Sequence, residues 1–287
     1  MPELPEVETV RRGLLAVMEV RPITQVLVRR GDLRRPLPDG FAAALAGRTV
    51  TAIDRRAKYL LIRLDDGAVV IAHLGMSGRM VIDHAGDVAP PGVFAHEVSD
   101  VQAARHEHVV FHVGNGTTVR FSDPRRFGLM DLVPGSALDA HPLLAGLGPE
   151  PLDEAFDGAA LGARLAGKRT PIKSALLDQR VVAGLGNIYV CEGLFAARLS
   201  PRRSAHTVQR RRADRLTAAI KAVLLDAIAA GGSTLRDHVA PSGEIGYFQH
   251  RFQVYGREGA PCPACAAPVR RIVQSGRSTF FCASCQH

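Results

Sequence analysis

Four cysteines near the C-terminal end constrain this chain more than any other feature. Cys262-x-x-Cys265 and Cys282-x-x-Cys285 are separated by sixteen residues, a spacing typical of zinc ribbons. Four thiolates complete the tetrahedral shell of Zn²⁺ and leave no position for a substrate water, so one structural zinc is expected. Between the two knuckles, Val269–Val273 and Ser278–Phe281 read as the strands of a hairpin, with Arg277 at its turn beside Gly276. The fifth cysteine, Cys191, lies far away in sequence. An odd count arranged as CxxC pairs fits metal binding in a reducing cytosol better than a disulfide framework.

With 287 residues, of which 46% are hydrophobic, the chain has room for two cored domains and a small appendage. A net charge of +8 and a pI near 9.7 point to a polyanionic partner, nucleic acid before anionic membrane. No stretch approaches the roughly 20 apolar residues of a membrane span. The opening Met1-Pro2-Glu3-Leu4-Pro5-Glu6 is acidic and proline-rich, unlike a secretory signal. Only Lys58, Lys168, Lys173 and Lys221 are lysines among 36 basic residues. Each therefore marks a place where a compact charge, or a proton that can leave, is wanted.

Hydrophobic spacing predicts a helix over Val7–Val17. Short β-branched runs follow at 23–28, 49–53, 59–64, 68–72, 109–113, 118–121 and 129–133, with turns at Asp65-Asp66-Gly67 and Gly114-Asn115-Gly116. Closely spaced antiparallel strands predict a sandwich or barrel. The Ala-, Gly-, Pro- and His-rich stretch 83–105 reads as an inserted surface loop. Beyond Pro151 the pattern turns helical: 172–179 and 187–197 flank the glycine break Gly184-Leu185-Gly186, and a long amphipathic helix over 207–230 ends at Gly231-Gly232. The expected division is α+β and multidomain: a β-sandwich with a flanking helix over 2–134, a hinge over 135–151, a helical domain over 152–240, and a loop plus ribbon over 241–287.

Several motifs occur in order along the chain: Pro2-Glu3-Leu4-Pro5-Glu6, Arg56-Ala57-Lys58-Tyr59, His73-Leu74-Gly75-Met76-Ser77-Gly78, Asp123-Pro124-Arg125-Arg126-Phe127-Gly128, Leu147-Gly148-Pro149-Glu150, Gly184-Leu185-Gly186-Asn187-Ile188-Tyr189 and Gly246-Tyr247-Phe248, followed by the ribbon. Together they resemble the formamidopyrimidine-DNA glycosylases over nearly the whole length. The resemblance implies a β-sandwich, a helix–two-turns–helix DNA-binding domain and a zinc ribbon. It implies a bifunctional glycosylase and abasic-site lyase of base excision repair, acting on oxidised purines in double-stranded DNA, expected as a monomer in the bacterial cytoplasm and at the nucleoid when engaged. The stretch 83–105 is longer than in compact members, and Ala266 stands where members often carry glycine.

The resemblance also assigns roles. Removal of Met1 leaves Pro2 as a secondary amine whose reference pKa, about 8, keeps a useful fraction unprotonated. Pro2 is then the nucleophile at C1′ and Glu3 the proton carrier, with Lys58 beside the catalytic amine. Glu6 is a second carboxylate with a structural role. Met76, Arg125 and Phe127 would fill the space left by a flipped nucleotide. His73, Lys168, Asn187, Tyr247 and Arg277 would hold DNA, Lys168 competing with Arg169 for the same contact. Stretch 240–247 resembles a lesion-capping loop. Arg126 is expected to pair with an acid or point inward. His106 and His108 read as strand-edge histidines rather than a second metal site. Two other functions remain. An endonuclease VIII-type enzyme for oxidised pyrimidines fits Leu4 and the Met76, Arg125, Phe127 set less well. A catalytically silent ribbon protein would need neither Pro2 nor Glu3.

Overall fold

The computed structural model describes residues 2–83, 105–233 and 247–287. Most of the stretch 83–105 and of the expected capping loop 240–247 therefore lies outside the described residues. Contacts divide the chain into two compact units: Met1–Leu144 with Ala230–Tyr247, and Ala145–Ala229 with Phe248–His287. This differs from the four-part division by composition. The ribbon shares a hydrophobic cluster with the helices and so belongs to their unit.

The first unit is an antiparallel β-sandwich. Helix α1 (Leu4–Met18) starts earlier than hydrophobic spacing indicates, because Pro5 is tolerated in the first turn, where its missing N–H would have no helical partner. Strand β1 (Arg21–Val28) is shared by two sheets. Its first two residues pair with β2 (Thr49–Arg56) and the rest with β6 (Glu107–Val113), with a register shift between Ile23 and Gln25 at the changeover. One sheet continues β2, β3 (Tyr59–Leu64), β4 (Ala68–His73) and β8 (Leu129–Pro134). The other continues β6, β7 (Thr118–Ser122) and β5 (Arg79–Asp83). The inner faces share one core: Ile53, Leu60, Ile62 and Val70 from one sheet, Val109, Phe111, Val119 and Phe121 from the other, and Val7, Val10, Leu14 and Met18 from α1. Strand β5 and the short helix α2 (Phe41–Leu45) are not predicted from the sequence. Both are five residues long, too short for a period to stand out.

The second unit holds α3 (Gly158–Leu165), capped by Asp157 accepting from Ala160 N–H at 2.8 Å. Then come α4 (Ile172–Leu177), α5 (Asn187–Ala196) and the long α6 (Arg211–Ala229). The nine residues between α4 and α5 are pinned by Gln179. Its amide donates to Leu177 O and Leu185 O and accepts from Gly184 N–H. Gly184 has φ +82°, a conformation that costs glycine nothing. The ribbon hairpin is β9 (Arg270–Gln274) and β10 (Arg277–Phe281), joined by Ser275-Gly276, both at positive φ. No described helix is long and apolar enough to cross a membrane.

Candidate functional site

In the sandwich unit, Pro2 and Glu3 are buried just ahead of α1. A chain end normally frays; this one is held by Glu6. One Glu6 oxygen accepts from Glu3 N–H at 2.8 Å, and the other accepts from both N–H and Oγ of Ser233 at 2.8 Å. Gly232, at φ +80°, lies against the Glu6 side chain, where a Cβ would sit only 3.2 Å from it. The glycine pair that ends α6 thus also lets Ser233 reach Glu6. Sequence reading gave Glu6 a structural part but did not find its partner, because Ser233 is 227 residues away.

Lys58 sits in the two-residue turn between β2 and β3 and is 8% exposed. Ala57, its partner in that turn, is at φ +55°. The turn is tied to α1 through Arg55, which donates to Ala57 O (2.9 Å) and pairs with Glu8 (3.3 Å). Burial works to raise the Glu8 carboxyl's pKa, but hydrogen bonds from Arg11 and Arg12, with the charge of Arg55, outweigh it and hold it below its ordinary value. His73 closes β4 with its ring 4.9 Å from that of Tyr59, and its Nδ1 accepts from Gly75 N–H at 2.9 Å. Burial, helped by the charges of Lys58 and Arg34, pushes its pKa down to about 4. His73 is therefore a neutral imidazole near pH 7.

Met76 (37% exposed) and Phe127 (42% exposed) stand on two loops that touch. Gly75, at φ +64°, lies directly against the Phe127 carbonyl and Gly128 nitrogen, leaving no room for a Cβ. A buried carboxyl group organises both loops. Asp123 accepts from Ser77 Oγ (2.5 Å) and Gly128 N–H (2.7 Å), and Ser77 Oγ accepts from Arg125 N–H (3.1 Å). The Arg125 guanidinium lies 4.9 Å from the centre of the Phe127 ring, a cation–π distance. All three candidate gap-filling side chains are thus exposed on an interlocked pair of loops rather than packed in the core. Arg126 pairs with Asp32 at 3.4 Å, at the surface. His108 is buried with Nε2 2.8 Å from Asp123 O, and the only described group of ligating residues is the cysteine set. Tyr247 is 64% exposed, with its N–H on Ala230 O.

In the second unit, Asn187 and Arg277 come together through the ribbon. Asn187 Nδ2 donates to Ser278 O at 2.9 Å, so one of its amide hydrogens is engaged with the hairpin instead of pointing outward; its Oδ1 is buried without a partner. Lys173, fully buried, donates to the same carbonyl (3.0 Å) and to Thr279 Oγ1 (2.7 Å). Burial lowers the Lys173 pKa. Lys173 is the residue sequence reading missed; the scarcity of lysine was its only signal. Arg277 itself is exposed. Lys168 lies outside this cluster, in the turn after α3, where its charge helps to lower the Asp178 pKa behind the larger effect of Arg180.

The four cysteine sulfurs lie within 4.8 Å of one another, with the 262–285 pair at 3.9 Å and the 265–282 pair at 3.5 Å. Tetrahedral zinc with bonds of about 2.3 Å needs sulfurs about 3.8 Å apart. The four thiolates are placed to bind one zinc ion and, with no fifth ligand among them, to hold it structurally. Cys262 and Cys282 join Cys191, Phe195 and Val254 in the cluster that seats the ribbon on α5.

Comparison with known proteins matches this arrangement part by part. Residues 1–130 match the formamidopyrimidine-DNA glycosylase N-terminal domain, 147–239 its H2TH domain, and 259–287 the zinc finger found in FPG and IleRS. The formamidopyrimidine-DNA glycosylase of Azorhizobium caulinodans is 57% identical, covering 100% of both chains. The crystal structure of the MutM (Fpg) protein of Thermus thermophilus is similar at 41% identity and a TM-score of 0.84, over 99% of this chain and 98% of that one. The Lactococcus lactis Fpg, solved with DNA containing N7-benzyl-Fapy-dG, is similar at 31% identity and a TM-score of 0.85, over 99% of both. With family models spanning the sandwich, the helical unit and the ribbon, and a relative sharing more than half of all residues from end to end, this chain belongs to the formamidopyrimidine-DNA glycosylases, DNA glycosylases of base excision repair.

Proposed function

We propose that the chain excises oxidised purines, 8-oxoguanine and formamidopyrimidines, from double-stranded DNA and then cuts the strand through a Schiff base on Pro2. The observation that carries this reading is the pinned N-terminus. Glu6 holds Glu3 N–H and Ser233 at once, so the residue that becomes the terminal amine after loss of Met1 has a fixed position. The secondary amine attacks C1′ and the base departs with a proton. Ring opening of the sugar then leaves an iminium, which Glu3, as proton carrier, assists. The iminium acidifies the C2′ protons, and loss of one expels the 3′ phosphate; the conjugated iminium so formed acidifies the C4′ proton, whose loss expels the 5′ phosphate. Lys58, as an ammonium near the amine, lowers its pKa and favours the reactive form.

The base must leave the stack before C1′ is reachable, at a cost of a few kcal/mol. Met76, Arg125 and Phe127 fill the vacated space and offset part of that cost. Asn187 and Arg277 hold phosphates, as do Lys168, Tyr247 and the neutral His73. A DNA-bound relative, the Lactococcus enzyme, supports the partner. The protein acts as a monomer in the bacterial cytoplasm, at the nucleoid when engaged. Borohydride trapping on a duplex with one 8-oxoguanine tests the reading. The adduct should map to Pro2, and Pro2→Gly should retain lesion binding while losing excision. Full activity with Met1 retained, or trapping only on an oxidised pyrimidine, would sink it.

A further inference from the structure

A cleft of about 580 Å³ opens beside the zinc knuckles in the second unit. Arg198, Arg203, Arg211, Arg212 and Arg215 line it, and among the described residues no aspartate or glutamate does. Arg203 donates to the main-chain oxygen of His287 (3.1 Å) and Arg212 to that of Thr207 (3.4 Å). Arg198, Arg211 and Arg215 have no acidic partner among the described residues. Cys265 and Cys285 form part of the wall. Zinc with four thiolates carries a net charge of about −2, less than the positive charge of the five guanidinium groups.

The helix end at the cleft makes the imbalance sharper. Arg211, Arg212 and Arg215 occupy the first turns of α6, the positive end of the helix dipole, where carboxylates are normally favoured. The one acid in that first turn, Asp214, packs against Gly158 of α3 instead, too closely for a Cβ there. The cleft is also separate from the hairpin tip. Strand β10 runs five residues from Arg277, about 17 Å, before Cys282 begins the second knuckle.

We propose that this cleft is a second anion site that takes a phosphate group. Its volume lies within the range of about 300–1,000 Å³ of small-molecule sites. Five arginines lining one cleft, three of them in the first turns of a helix, match a compact, multiply charged group with several acceptor oxygens. An acidic peptide spreads its charge at about one per 3.4 Å of strand and fits this concentration less well. The phosphate comes either from a free phosphate compound or from a nucleic-acid strand running past the hairpin.

The zinc-loaded full chain and its Arg211→Gln/Arg215→Gln variant, both sites exposed, are titrated with pyrophosphate by calorimetry at constant ionic strength. Wild type should bind saturably and the variant at least tenfold more weakly. A second arm measures DNA affinity against salt for lesion duplexes with about one and about three helical turns of flank, ~10 base pairs per turn. If a strand reaches the cleft, the log–log slope on the long duplex should drop by about 1.8 in the variant and stay unchanged on the short one. Loss in the first arm alone assigns a free phosphate compound; loss in the second assigns a nucleic-acid strand. Excision from the short duplex stays at the wild-type rate in either case, which separates this site from the reading of Pro2. Unchanged pyrophosphate binding together with unchanged slopes overturns the proposal, as does binding of polyglutamate without pyrophosphate. Zinc content verifies the fold of the variant, and Arg198→Gln repeats the test should the double variant lose its metal.

Discussion

Asp123→Asn separates loop architecture from chemistry. The Asp123 carboxyl group is fully buried and accepts from Ser77 Oγ at 2.5 Å and Gly128 N–H at 2.7 Å. Asparagine is nearly isosteric but has one acceptor where two are needed, so one of its N–H₂ hydrogens must face Ser77 Oγ or Gly128 N–H. A hydrogen bond to a charged group contributes about 1.5–3 kcal/mol, and a buried donor left unpaired costs a similar amount. The sandwich should lose about 2–3 kcal/mol, a melting-point fall of roughly 5–10 °C for a unit of this size. The functional effect should exceed what stability alone produces, because Gly128 follows Phe127 and Ser77 follows Met76. A fluorescent base beside the lesion reports opening, and single-turnover cleavage reports excision. Opening should slow by at least tenfold on an intact 8-oxoguanine duplex at a temperature where the variant is fully folded. A preformed abasic site, which needs no base extracted, should be cut at nearly the wild-type rate. Phe127→Ala should give the same split without the loss of stability. A variant less stable by under 0.5 kcal/mol, or one equally slow on both substrates, would refute the clamp.

His73 should make the sandwich acid-sensitive. Its folded pKa, about 4, lies below the unfolded value near 6.5, so its contribution is complete above pH 6.5 and disappears as the pH falls through 4. The difference is about 2 kcal/mol at pH 5 and about 3 kcal/mol below pH 4; denaturant melts of wild type minus His73→Gln measure it, and parallel curves would disprove it. Arg277→Ala should weaken binding to all duplexes alike and reduce the log–log salt slope by about 0.9, one phosphate contact; an unchanged slope with altered lesion preference would assign Arg277 to base reading. Cys282→Ser, or zinc chelation, should loosen the ribbon and weaken DNA binding, because metal binding here is folding energy; tight binding by metal-free protein would contradict it.

Sequence alone determined most of what rests on local chemistry, the five-residue α2 and β5 excepted. The CxxC spacing specified the zinc ribbon, the alternating β-branched runs specified most of the sandwich strands, and Gly184-Leu185-Gly186 specified the break between α4 and α5. The ordered motifs carried the family. What tertiary structure decided were pairings between distant residues, which leave no periodic trace. Glu6 meets Ser233 across 227 positions, Ser77 meets Asp123 across 46, and Lys173 meets Thr279 across 106. Burial could not be read from type either. Methionine and phenylalanine belong by default in a core, yet Met76 and Phe127 are exposed, while charged Lys173 is fully buried. A residue's hydrophobicity sets what burial is worth, but chain topology decides which side chains reach the interior. Here the touching loops hold two apolar side chains at the surface, and the ribbon supplies the oxygens that let a lysine stay inside.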